Sequence, residues 1–297
     1  ALALPLASSS VDLCVTSPPY FALRSYTDGG EHYDGQIGSE ATPQEFIDAM
    51  LAVTAECVRV LKPSGSMWVN LGDKYAAGHG GSSTEGKGIT VRKRSSFEAK
   101  PKERPYLPDP PASWGTREAT GRNVVPGFRP KSLMGMPWRY ALACIDDLGL
   151  ILRAEVIWSK PNGLPESVTD RVRRSHEQWF HFTKEPRYYS AVDEIREGYA
   201  PGTADRYRYA YTDTTGDNPG GGKGQGMMRS IADGTDTGPT AVNPLGKLPG
   251  SVWTVPTEPL RVPDHLPQHF AAFPSEWPRR IILGWSPSGI CVACGEG

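Results

Sequence analysis

Residues 16 to 20 read Thr-Ser-Pro-Pro-Tyr and follow directly on the apolar run Val11-Asp-Leu-Cys-Val15. An exocyclic amine on a nucleobase is a poor nucleophile, because its lone pair is delocalised into the ring. A group that activates it must hold its N–H groups with acceptors that favour a pyramidal nitrogen. The Ser17 hydroxyl and the Pro18 carbonyl are two such acceptors. Pro18 and Pro19 fix φ at successive positions, which holds that carbonyl and the next ring in place without an ordering cost during reaction. Tyr20 then offers a face to a base that has left its stack. In isolation, Ser-Pro-Pro-Tyr reads as a polyproline turn or as a docking segment for an aromatic groove, with Pro18 and Pro19 exposed. The apolar strand in front of it shifts the reading to an active site.

The elements that must position this turn follow a strand and helix rhythm. Val11 to Val15 has the composition of a central parallel strand whose carboxyl end opens on a site. Thr42-Pro43-Gln44-Glu45 combines a capping box with Pro at the first helical position. Phe46, Ile47, Met50, Leu51, Thr54, Cys57, Val58 and Leu61 then fall on one helical face. Lys62-Pro63-Ser64-Gly65 ends the helix and Ser66 to Leu71 reads as the next strand, joined to the first by a parallel crossover. Met136 to Ile145 predicts a helix ended by Leu148-Gly149, and Leu150 to Trp158 a strand. Gln178 to Thr183 and Tyr188 to Ser190 predict a hairpin beside it. Ser251 to Val255 predicts a last strand, and Trp277 to Trp285 a last helix.

At 297 residues, with 38% hydrophobic and 22% charged side chains, the chain is long enough to bury a substantial core. The 33 glycines and 28 prolines predict long irregular connections. No apolar run approaches a membrane span and no secretory leader is recognisable, which predicts a soluble cytoplasmic protein without a membrane partner. Cys14, Cys57 and Cys144 stand alone in apolar segments, as reduced thiols do. Cys291 and Cys294 have the spacing of one zinc knuckle, either half of a structural zinc ribbon or two ordinary thiols. The formal net charge of -1 conceals an asymmetry. Residues 1 to 86 carry 4 basic and 10 acidic side chains, and residues 87 to 131 carry 11 basic and 4 acidic ones. The basic block around Arg92, Lys93 and Arg94 can neutralise phosphates or form a solvated loop. Pro219 to Gly226 mimics a phosphate loop but lacks the preceding strand and the Ser or Thr after Lys223.

The chain resembles the amino-group DNA methyltransferases of the permuted class, in which the catalytic motif precedes the cofactor motif. Val11-Asp-Leu-Cys-Val-Thr-Ser-Pro-Pro-Tyr20 is similar to that family's catalytic strand and turn, and Cys57 to Asp73 to its next helix and strand. Ile157 to Asn162, Arg171 to Glu177, Phe182 to Lys184, Ser251 to Trp253 and His269-Phe-Ala-Ala-Phe-Pro274 continue the resemblance in the family's order. It implies an α/β fold with a doubly wound, mostly parallel, Rossmann-like sheet and irregular target-recognition insertions. It also implies S-adenosylmethionine as methyl donor and direct attack by the amine, without a covalent enzyme intermediate. Ser at the first catalytic position points to cytosine N4, with adenine N6 as the alternative.

From the resemblance, Ser17, Pro18, Pro19 and Tyr20 are the catalytic residues, and Thr16, Asp73, His269, Phe273 and Pro274 border the cofactor. Arg171, Arg173 and Arg174, with Arg92, Lys93 and Arg94, would contact double-stranded DNA. A restriction endonuclease is the partner such an enzyme in a bacterium or its virus would have. The expected organisation is a catalytic strand-helix-strand unit at 1–73, a basic insertion at 74–130, the second half of the sheet at 131–190 and a flexible target-recognition region at 191–250. Residues 251–290 would lead into a cofactor loop, and 291–297 would begin the zinc ribbon. The family's aromatic-x-Gly-x-Gly cofactor loop has no counterpart in this sequence, and both ends read as cut. The chain alone is therefore expected to bind S-adenosylmethionine weakly, which leaves a DNA-binding remnant as the rival reading.

Overall fold

In the computed structural model, which describes residues 2–22, 27–28, 31–32, 36–76, 125, 128–129, 131–163, 165–202, 243, 245–259 and 272–289, the strand before the Pro-Pro turn forms as β1 (Val11–Thr16). A short antiparallel pair, β2 (Thr27–Asp28) and β3 (Glu31–His32), comes next. Helix α1 (Pro43–Val60) starts at the expected capping box. The Thr42 N–H donates to Glu45 Oε2 at 3.0 Å, and the Glu45 N–H donates to Thr42 Oγ1 at 3.2 Å. Carbonyls of its last turn are held too. Ser9 and Ser10 donate their N–H groups to Arg59 and Val60, and Lys184 Nζ donates to Val58 and Leu61.

Strand β4 (Leu61–Leu71) begins earlier than the sequence suggests. Leu61 is already opposite Val11, and pairing resumes at Ser66 opposite Leu13. Lys62 to Gly65 form an irregularity in that ladder, a position where Pro63 removes no regular ladder bond. Gly65 is required there, because a Cβ would lie 2.8 Å from the Asp12 carbonyl oxygen.

Helix α2 (Met136–Asp146) closes at Gly149, whose φ of 65° lies in the left-handed region. It leads into β5 (Ile151–Ser159). Then come β6 (His176–Thr183), β7 (Val252–Thr254) and α3 (Glu276–Trp285), which tolerates Pro278 because it lies in the first turn. The sheet order is β1-β4-β6-β5-β7. β1 is parallel to β4 and β5 to β7, while β6 is antiparallel to both β4 and β5. Four strands therefore point one way and β6 alone is reversed, in agreement with the mostly parallel α/β sheet expected. The hairpin expected from β6 into Tyr188 to Ser190 does not form. Both edges of β6 are occupied by β4 and β5, so the segment after it has no edge to join; Tyr189 instead donates its N–H to the Ser64 carbonyl at 2.9 Å.

The chain divides by its internal contacts into two compact units, Ala1–Pro18 with Leu51–Leu71 and Ala141–Gly297, and Pro19–Met50 with Gly72–Tyr140. The first holds the five-stranded sheet. On one face, Trp68, Trp158, Trp179 and Trp253 pack with Trp277, Ile281 and Trp285 of α3. By strand alternation Met67, Val69, Phe180 and Phe182 turn to the other face, where they are equally buried. Cys14 meets Cys57 of α1, and the hydrogen bond between them, together with burial, raises the Cys14 pKa well above the usual thiol value. In the second unit the rings of Phe21 and Phe46 lie 5.6 Å apart.

Each unit also contains a short antiparallel stem. In the second, Ala76 and Lys131 to Ser132 exchange backbone bonds of 2.8 and 2.9 Å, and Tyr75 bridges Leu133. In the first, Glu197 and Lys247 exchange bonds of 3.0 and 2.9 Å, and Arg196 Nη1 donates to the Gly246 carbonyl at 2.8 Å. Among the described residues no helix is long and apolar enough to cross a membrane.

Candidate active site

The parallel pairing of β1 and β4 brings their carboxyl ends together, with Thr16 opposite Val69. Ligands of open α/β sheets bind beyond such ends. Ser17 emerges here half-buried, and its Oγ donates to Asn70 Oδ1 at 3.2 Å. Asn70, the next residue of β4, is 1% exposed, and its Nδ2 donates to the Gln178 carbonyl of β6 at 3.0 Å. Asn70 and Gln178 were not singled out from the sequence. An Asn inside the apolar run Met67-Trp-Val-Asn-Leu71 is the signal that marks the first, since a buried amide needs partners.

The chain passes from the first unit to the second between Pro18 and Pro19. There the turn is gripped from two sides. Gly38, with φ of 97°, sits so close that a Cβ would lie 2.9 Å from the Tyr20 carbonyl oxygen and 3.3 Å from Pro19 Cβ. Its carbonyl accepts from the Ala22 N–H at 2.7 Å. A Cβ at Gly72 would lie 2.5 Å from Tyr20 Cε2, so only glycine leaves room for the ring in this pose. Lys74 Nζ donates to the Ala22 carbonyl at 2.7 Å, and partial burial lowers its pKa. Pro18 and Pro19 are half-buried, unlike the exposed prolines of a docking segment.

Asp73 works within the same unit. Its Oδ1 accepts from the N–H groups of Lys74 and Met136 at 2.9 and 3.1 Å, and its Oδ2 from Gly135 at 2.9 Å. The carboxylate thus caps the start of α2 from a distant strand end, a favourable place for negative charge. Phe273 stands edge-on to Trp179 with centroids 5.3 Å apart, and the Pro274 carbonyl accepts from the Trp277 N–H at 3.1 Å. Both therefore serve the packing and start of α3. Thr16 is the half-buried last residue of β1.

Between β5 and β6 the three predicted arginines shape their own loop. Arg171 pairs with Glu166 and Arg173 Nη1 donates to the Gly163 carbonyl at 2.8 Å. Arg174 Nη2 donates to Gln178 Oε1 at 3.1 Å. Lys160, at the end of β5, pairs with Glu177 and lies 4.0 Å over the Trp158 ring. Arg92, Lys93, Arg94, His269, Cys291 and Cys294 lie outside the described residues. Among the described residues no group of three or more His, Cys, Asp or Glu side chains could hold a metal ion, so nothing there supports zinc.

A family profile described as DNA methylase matches residues 11–293. The chain is 39% identical over 192 residues to the type II methyltransferase M.XycI of Xanthomonas campestris pv. cyanopsidis, covering 65% of this chain and 54% of that protein. It is 38% identical over 192 residues to the type II methyltransferase M.Cfr9I of Citrobacter freundii, with the same shares of 65% and 54%. The chain thus spans about half the length of these curated relatives. A solved structure, the PvuII DNA methyltransferase (cytosine-N4-specific), aligns with a TM-score of 0.49 at 14% identity, covering 95% of this chain and 66% of that one.

Proposed function

This chain belongs to the DNA methylase family matched over residues 11–293, and we propose that it carries the catalytic part of an enzyme that methylates the N4 amine of cytosine in duplex DNA. The observation that carries this reading is Ser17, held at the carboxyl end of β1 by a buried partner. Its Oγ and the Pro18 carbonyl accept the two N–H bonds of the target amine. That draws the nitrogen toward a pyramidal geometry and frees its lone pair. Pro18 and Pro19 hold these acceptors rigid. Tyr20, seated over Gly72, stacks on the base once it has left the duplex.

S-adenosylmethionine is the methyl donor that the family resemblance implies. Among the described residues named for it, the Asp73 carboxylate caps α2, and Phe273 and Pro274 pack at the start of α3. No step is therefore routed through them. DNA is the macromolecular partner, met by the β5–β6 loop that Arg171, Arg173 and Arg174 shape and by the basic block around Arg92, Lys93 and Arg94. Names of the relatives as type II methyltransferases support a restriction endonuclease as the companion enzyme.

The test is mass spectrometry of nucleosides from duplex DNA incubated with the full-length protein and labelled S-adenosylmethionine. N4-methylcytosine is the expected product. N6-methyladenine would keep the chemistry and correct the base. DNA binding without either product would favour a non-catalytic DNA-binding protein.

A further inference from the structure

Two bonds of Asn70, to Ser17 and to Gln178, are not independent. Its Nδ2 donates to the Gln178 backbone carbonyl at 3.0 Å, and its Oδ1 faces Ser17 Oγ at 3.2 Å. A backbone carbonyl can only accept, so the amide must turn its NH2 toward Gln178. That leaves Oδ1 facing Ser17. An amide oxygen can also only accept, so the single hydroxyl proton of Ser17 is drawn to Asn70. The lone pairs of Ser17 are what remain for a substrate. Gln178 cannot drift away, because it lies in β6, whose neighbours Trp179 and Phe180 are fully buried and paired with Asn70 and Val69.

We propose that Asn70 is a positioning residue that locks the Ser17 hydroxyl in its acceptor state, an inference that rests on reading Ser17 as the holder of the target amine. A freely rotating serine can meet an amine in two ways. If it donates to the nitrogen, it occupies the lone pair that has to attack the methyl group. If it accepts from an N–H, that lone pair stays free and the nitrogen is drawn out of conjugation. Asn70 permits only the second. The same lock makes the position a specificity element: a base that presents a carbonyl oxygen in place of the amine would set acceptor against acceptor. The amine of cytosine fits and the oxygen of uracil does not.

The test is a double-mutant cycle on the full-length protein, read as single-turnover methyl transfer, with Ser17→Ala, Asn70→Leu and the pair combined. Asn70→Leu is expected to lower the rate roughly 10- to 100-fold in the presence of Ser17, with KM for DNA little changed, and to add little in the Ser17→Ala background. Asn70→Asp guards against a folding defect, because its protonated carboxyl can donate to Gln178 and accept from Ser17 as the amide does. It keeps an oxygen that accepts from Ser17, so it should retain more activity than Asn70→Leu. It should also gain an alkaline limb in its pH profile absent from the parent, as the ionised carboxylate faces the Gln178 carbonyl acceptor to acceptor. Equal losses from Asn70→Leu in both backgrounds, or an Asn70→Asp profile parallel to the parent's, would overturn the proposal while leaving Ser17 as the amine holder. A Ser17→Ala variant as fast as the parent would instead sink the reading of Ser17 itself.

Discussion

Ser66 and Ser17 each bond a buried polar residue of the same sheet, yet their surroundings make them different groups. Ser66 is fully buried and lies 3.0 Å from Nε2 of His181, whose ring is stacked on Trp68 at 4.5 Å and met edge-on by Trp285 and Tyr188. Nothing can reach that pair without unfolding it. Ser17 has an equally buried partner but stands at the open carboxyl end of β1. A hydrogen bond to a buried side chain is thus no mark of function. What separates them is where the strand stops: Ser17 stands half-buried at an end, and Ser66 is sealed inside.

The largest expected effect separates the two. Ser17→Ala should lower methyl transfer on the order of 100- to 1000-fold, the range for losing one preorganised polar contact to the reacting centre. Its unfolding midpoint in urea should move less, because Ser17 is only half-buried and water can take its place beside Asn70. Ser66→Ala should do the reverse, costing about 1–3 kcal/mol of stability by orphaning His181, with the rate per folded molecule intact. If Ser66→Ala slowed turnover as much as it weakened folding, the contrast would break.

Acid sharpens it. Burial first, and the charge of Arg153 second, lower the His181 pKa to about 3. Between pH 6.5 and about 3 the unfolded chain binds a proton that the native one refuses, so stability falls as pH falls through that window. The slope approaches roughly 1.4 kcal/mol per pH unit below the ordinary histidine value. Carboxylates such as Glu276, lowered to about 2 by Arg279 and Arg280, contribute at more acid pH. Urea midpoints at pH 7, 6 and 5 should therefore decline, and His181→Gln should flatten the decline; His176, shifted downward by burial, leaves a residual slope. A smaller effect tests the other side of the comparison. Gly72→Ala drives a methyl group into the Tyr20 ring and should cost about 10-fold in turnover, since a misplaced positioning group is felt at the reacting atoms. Stopped-flow rates on the same DNA duplex would reveal it, and an unaffected rate would show that the pose of Tyr20 is immaterial.

Much of this was legible in the residues. Thr42 and Glu45 announce a capping box that forms on both sides, and the apolar runs before Ser17 and Asn70 become the paired strands β1 and β4. Local signals of this kind need no distant partner. The reversed position of β6 was not legible, because Gln178 to Thr183 reads as a strand whichever neighbours it takes, and pairing is decided by the rest of the sheet. Nor was the role of Asp73, whose N–H donors include Gly135 and Met136, more than sixty residues away. Asn70 lies between these cases: its type is conspicuous in an apolar strand, but only the pairing with β6 shows which way its amide must turn.

The stems at Ala76 and Lys131 and at Glu197 and Lys247 carry a consequence for how such a protein can change. Each stem joins residues far apart in sequence, 76 to 131–132 and 197 to 247, through a pair of backbone bonds of its own. Closing a loop twice as long costs only about 0.6 kcal/mol more. Segments of different length and composition can therefore be exchanged between the same paired residues by recombination, while Ser17 and Asn70 keep their bond. On that footing, what lies between the paired residues and what lies around Ser17 are inherited separately.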